Sequence, residues 1–147
     1  MSGLLLPSHP HPLPDESVTS WFIRLAQANG TTLKTLLRYR IHRQGYHMGL
    51  DHDIGMPLKL VQNISDATGC TLKEIENITL NKYYDWIFPA GSVNDVSNWT
   101  LPIGGCTFPE GQLSSYPVCS KCLGEDLVPY FRKTWRLKFF CFAQYTE

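Results

Sequence analysis

The chain has no excess of either charge: Lys and Arg total 13 and Asp and Glu total 13 over 147 residues. That balance excludes nucleic-acid binding by bulk charge alone, so any such role needs a local basic patch. No apolar run approaches the ~20 residues that cross a bilayer, so no membrane association is expected. Residues 1–14 lack a basic stretch ahead of their apolar start, which Pro7 interrupts, so no secretory signal is expected either. Five cysteines are too few and odd in number for a disulfide framework. Two of them, in Cys119-Ser-Lys-Cys122, read as metal ligands in a reducing, cytoplasmic setting. The Asn-x-Ser/Thr sites at Asn29, Asn63, Asn77 and Asn98 are then chance matches.

Catalytic patterns are missing as well. There is no Ser or Cys with a nearby His, no pair of carboxylates in a pocket context and no phosphate-binding Gly loop. Asp51-His52-Asp53 is the one suggestive triplet, and a polar turn explains it equally well. The chain is therefore expected not to be an enzyme. A redox activity built on Cys119 and Cys122 would need a strand-helix junction that the pattern does not offer.

What the sequence does hold is an ordinary globular composition, 43% hydrophobic and 18% charged, enough for one compact domain or two very small ones sharing a core. Pro7, Pro10, Pro12 and Pro14 make the start an extended lead-in. A first helix is predicted from near Asp15 as N-cap, with Val18, Trp21, Phe22, Leu25 and Ala26 on its apolar face and Gly30 at its end. Thr31 or Thr32 caps a second helix that buries Leu33, Leu36, Leu37 and Ile41. The third has Pro57 at its first position and turns Leu60, Val61, Ile64 and Ala67 inward. Thr71-Leu-Lys-Glu74 is a capping box for the fourth, whose inner side carries Leu72, Ile75 and Ile78 or Thr79.

The helices repeat. Ala28, Gly30, Thr32, Leu33 and Lys34 recur as Ala67, Gly69, Thr71, Leu72 and Lys73 at one constant offset. Each copy is a helix, a Gly turn and a capped helix, the helix-turn-helix order, although a generic helical hairpin has the same order. Small residues four before each Gly, Ala26 and Ser65, allow close helix approach. The fold class is thus mainly α: paired helix-turn-helix units with a small zinc-knuckle-like C-terminal segment and a short strand. The division expected is an extended lead-in over 1–14, a tandem helix-turn-helix domain over 15–80, a wrapping loop over 81–117 and a Cys-based segment over 118–147. Residues 81–117 carry Gly and Pro but no periodicity. Alternation of Trp135, Leu137 and Phe139 with Arg136 and Lys138 reads as the strand.

Cys119 and Cys122 have the spacing of two zinc thiolates, and Cys141 is the third candidate. A fourth ligand is not evident: Gln144 is a poor one, Cys106 could substitute, and Cys70 is better explained as buried packing. Partial zinc occupancy is expected. Between Arg24 and Gly49 lie five basic residues, Arg24, Lys34, Arg38, Arg40 and Arg43, and no acidic one. Lys34, Arg38, Arg40 and Arg43, with Lys73 in the second copy, are candidates for nucleic-acid or partner contact. Arg132 and Arg136, interleaved with aromatics, form a second candidate group.

Two segments resemble a known family. Pro12-Leu-Pro-Asp-Glu-Ser-Val-Thr-Ser-Trp-Phe-Ile-Arg-Leu-Ala-Gln-Ala-Asn-Gly30 is similar to the opening motif of TniQ transposition proteins. Cys119-Ser-Lys-Cys-Leu-Gly-Glu-Asp-Leu-Val-Pro-Tyr-Phe-Arg-Lys-Thr-Trp-Arg-Leu137 resembles that family's first zinc-binding segment, including the interval to Cys141. The resemblance implies a non-catalytic, cytoplasmic bacterial adaptor. It would link a DNA site or an RNA-guided CRISPR complex to an AAA+ ATPase that regulates the transposase, with self-association left open. Two features depart from the pattern: the family's His falls on Gln144, and the chain stops at Glu147. The competing reading is a stand-alone helix-turn-helix transcriptional regulator.

Overall fold

The computed structural model describes residues 5–41, 51–83 and 119–136. These residues are mainly helical. Helix α1 spans Val18–Ala28, and its N-cap is Ser17 rather than Asp15: Ser17 Oγ accepts from the Ser20 N–H at 3.1 Å. Asp15 instead takes a positive φ of 59°, a conformation that short polar side chains tolerate, and it turns the chain before the helix starts.

After α1, Gly30 adopts φ +61° with open space where a Cβ would stand, so backbone conformation rather than crowding selects glycine there. Thr32 caps α2 (Leu33–Leu36), accepting from the Thr35 N–H, and the helix continues as a π turn over Leu37–Ile41. Helix α3 (Leu58–Thr68) begins one residue after Pro57, which occupies the capping position, and ends on left-handed Gly69 at φ 72°. Helix α4 (Leu72–Asn77) opens with the capping box: Thr71 and Glu74 each accept from the other's backbone N–H. Leu72 does not turn inward but is 38% exposed, because the inner face of so short a helix falls on Ile75 and on Ile78 beyond its end.

The two hairpins share one core. Val18, Trp21, Phe22 and Leu25 of α1 cluster with Leu36, Leu37 and Ile41, and with Leu60, Val61, Ile64 and Ala67 of α3. Trp21 and Phe22 stack with ring centroids 5.8 Å apart. Each such side chain taken out of water contributes ~1.5–3 kcal/mol. The Pro-rich lead-in also belongs to this core. Leu6 is buried and its N–H donates to the Ala67 carbonyl at 2.8 Å, while the Pro10 carbonyl accepts from Trp21 Nε1 at 2.8 Å.

A 3-10 turn (Leu80–Tyr83) follows α4. The last described segment holds helix α5 (Ser120–Glu125) and a 3-10 turn (Lys133–Arg136). Trp135 and Arg136 therefore lie in a helical turn, not in the expected strand, whose remaining residues are outside the described ones. The strand-like pairing among the described residues is an isolated antiparallel bridge between Glu16 and Arg132. No helix among the described residues is long and apolar enough to cross a membrane.

Candidate functional site

The two segments that carry the sequence resemblance meet in space. Ser17 N–H donates to the Phe131 carbonyl (2.8 Å), Phe131 N–H to Ser20 Oγ (2.9 Å), and Lys133 N–H to the Asp15 carbonyl (2.9 Å). Tyr130 adds its hydroxyl to the Pro14 carbonyl at 3.0 Å, and Thr134 Oγ1 donates to Asp15 Oδ2. Residues flanking Glu16 thus hold the C-terminal segment largely through their backbone groups.

Glu16 is fully buried. Arg24 Nε and Nη2 donate to its two oxygens at 2.8 Å each, and Ser20 Oγ and the Leu13 N–H supply two more hydrogen bonds. A buried carboxylate with this many donors is compensated. Arg24 is thereby committed to the fold, not to an outside partner.

A second charge cluster closes the other side. Arg136 is fully buried, and its Nη1 and Nη2 donate to the two oxygens of Asp51 at 2.7 and 2.6 Å. Nη1 also lies 3.5 Å from Asp53 Oδ2, while Asp53 Oδ1 accepts the Thr19 N–H at 2.7 Å in the first turn of α1. The Asp51-His52-Asp53 triplet, suggestive in the sequence although a polar turn explains it equally well there, supplies both carboxylates. Burial pushes the Asp53 carboxyl above the usual range, and the Arg136 charge pulls against that shift.

This geometry separates the candidate contact residues. Arg136 has no exposed surface to offer a phosphate, which removes it from the binding candidates. Arg132 is half-buried, donates from Nη2 to both oxygens of Asp126 (2.7 and 3.0 Å), and stacks 4.7 Å over the Tyr130 ring. Lys34, Arg38 and Arg40 are exposed on α2 and the π turn. Arg38 stacks 5.5 Å over Tyr39, an aromatic 65% exposed that charge counting overlooks. Lys73 is exposed on α4, but Glu74 and Glu76 beside it are exposed as well, so the second copy lacks the carboxylate-free face of the first. Arg43 lies outside the described residues.

The cysteine pair sits at the start of α5. Cys119 is its N-cap, and its Sγ accepts from the Cys122 N–H at 3.4 Å. That N–H, together with the Cys122 thiol, holds the Cys119 thiol below its usual range, and the same sulfur–sulfur contact raises the Cys122 thiol. Both side chains are partly exposed. Two thiols on one turn, one eased toward thiolate by an amide donor, form a donor pair that fits zinc. Cys141 and Cys106 lie outside the described residues.

Sequence reasoning also missed a cluster of three ligating groups, His11, Cys70 and Glu74, whose donor atoms all lie within 4.8 Å of one another. They are spread over more than sixty residues, so spacing gave no signal.

In comparisons with known proteins, no curated protein and no solved structure matches the chain. The TniQ family model matches residues 7–142, nearly the whole length. The chain belongs to the TniQ family, whose members are transposition-associated.

Proposed function

We propose that this TniQ-family protein is a non-catalytic adaptor in DNA transposition, coupling a recognised target to an AAA+ ATPase regulator of the transposase. The observation that carries the reading is the joint between the family's two motifs: the segment around Glu16 and the segment 130–136 form one hydrogen-bonded body. Their residues build a scaffold, and the scaffold leaves an exposed basic face on α2. Lys34, Arg38 and Arg40, with Arg43 beyond them, contact nucleic acid or a nucleoprotein there. The two Gly-turn hairpins act as paired helix-turn-helix units, of which the first makes the principal contact. Cys119, Cys122 and Cys141 hold zinc, which would fix the C-terminal segment. The protein works in the bacterial cytoplasm.

Co-purification with the ATPase encoded beside the gene tests this reading. An adaptor retains the ATPase at stoichiometric level. A stand-alone transcriptional regulator, which the same basic hairpin also suits, binds DNA and leaves the ATPase behind.

A further inference from the structure

We propose that His11, Cys70 and Glu74 form a second zinc site that staples the Pro-rich lead-in to the turn between α3 and α4. His11 Nδ1 lies 3.7 Å from Cys70 Sγ and 3.7 Å from Glu74 Oε1. In tetrahedral zinc coordination, donors at the usual bond lengths stand roughly 3.3–3.6 Å apart. A shift of a few tenths of an ångström at His11 brings its two distances to coordination geometry. Binding also requires the Cys70 and Glu74 donors, which lie within 4.8 Å of each other, to draw together through movement of the exposed Glu74 side chain.

Each ligand is held in place by contacts that do not use its donor atom. His11 sits between Pro10 and Pro12, whose rings restrict the backbone, and its carbonyl accepts from Arg24 Nη2 at 2.8 Å. Cys70 follows left-handed Gly69; its carbonyl accepts from Ser65 Oγ at 2.7 Å and its N–H donates to Thr68 Oγ1. Glu74 uses Oε2 for the capping box, accepting from Thr71 N–H and Oγ1 at 2.8 Å each, which leaves Oε1 turned to His11. Two ligands thus lie within five residues at the start of α4, and the third arrives from the lead-in.

The donor set selects the ion. One thiolate, one imidazole and one carboxylate suit zinc, whereas calcium and magnesium prefer oxygen throughout. Binding displaces the Cys70 thiol proton to solvent. One thiolate and one carboxylate then neutralise the dication, so no net charge remains beside the buried sulfur. His11 and Glu74 are exposed, which leaves the fourth position to water. The site is independent of the adaptor reading.

The test is zinc stoichiometry on the full chain, by equilibrium dialysis and mass spectrometry. It compares the wild type with His11→Ala and Cys70→Ser, each also made in a Cys119→Ser, Cys122→Ser, Cys141→Ser background. The wild type should hold one equivalent more than either single variant, and the triple variant should keep one equivalent that His11→Ala then removes. Loss of a ligand should weaken zinc at this site by at least about 100-fold, beyond the loss seen for outer-shell contacts. Cobalt(II) in the triple variant should show thiolate charge-transfer absorption that Cys70→Ser abolishes. Should Cys70→Ser fail to fold, the exposed His11→Ala variant decides alone. Equal zinc content in wild type and His11→Ala overturns the proposal.

Discussion

Arg136 and Asp51 face each other through two parallel hydrogen bonds, of 2.7 and 2.6 Å, that join the C-terminal segment to the chain ahead of α3. The guanidinium is fully buried and the Asp51 side chain 22% exposed, with fully buried Asp53 on the other flank. This arrangement fixes the C-terminal segment against the start of α1, because Asp53 also holds the Thr19 amide.

Removing Arg136 leaves the Asp53 carboxylate buried without its cation. Arg136→Met should therefore destabilise the protein by about 3–5 kcal/mol, the usual cost of breaking a buried pair. Asp51→Asn should cost clearly less, since that side chain reaches water and keeps its shape. Urea unfolding of both variants measures the difference. Equal, small losses would mean the cluster does not hold the fold together.

The basic face predicts a different signature. Replacing Lys34, Arg38 and Arg40 with Ala should leave the melting temperature nearly unchanged, because all three are exposed. DNA affinity should fall evenly across sequences, and the salt slope should flatten by about one unit per lost phosphate contact. Lys73→Ala should do less, given Glu74 and Glu76 beside it. If the triple replacement instead abolishes ATPase binding while DNA affinity persists, the face is a protein interface.

Much of this fold was legible because its signals are local. Gly30 and Gly69 mark left-handed turns, and Thr71 with Glu74 closes a capping box within four residues. The periodic spacing of Trp21, Phe22 and Leu25 assigned the buried face of α1 correctly. The site residues were harder because their meaning depends on distant partners. Arg136 looks like a surface cation until Asp51 and Asp53 are placed beside it. Glu16 and Arg24 sit in a motif whose order says nothing of their pairing. The lead-in prolines suggest an extended chain, yet not that Leu6 enters the core or that His11 meets Cys70.

Lys133 gives the fold a pH dependence with a definite sign. Its side chain is buried, its Nζ donates to the Asn77 carbonyl, and Asp15 lies 4.0 Å away. Burial, reinforced by the nearby Lys82 charge, lowers its pKa from 10.5 to about 8. Between those values the unfolded chain binds the extra proton, so stability should rise with pH from about 8 upward. Cys70, whose thiol burial raises above its usual range, adds a pH dependence of its own. The difference between the wild type and Lys133→Met isolates the lysine. That difference should shift in the wild type's favour as pH rises from 8 to 10, in chemical-denaturation curves at fixed ionic strength. A difference that stays constant across the range would show that Lys133 keeps its proton in the folded state.

The cysteines of α5 make the last prediction. Cys119 and Cys122 lie on one turn with an amide donor aimed at the first sulfur, an arrangement that favours thiolate and hence zinc. The proposed site, with Cys141 as its third ligand, would have three thiolates, while closed structural zinc sites normally hold four protein ligands. Such a site should lose its metal to a mild chelator. The helical hairpins should survive that loss, because their core of Trp21, Leu25, Ile64 and Ile75 is built without these residues. Chelation should therefore leave most of the far-ultraviolet circular dichroism in place while amide exchange accelerates in segment 119–136. Loss of helix signal along with the metal would instead make zinc a condition for folding the whole domain. A full equivalent at Cys119 and Cys122 resisting the chelator would require a fourth ligand, with Cys106 the first residue to replace.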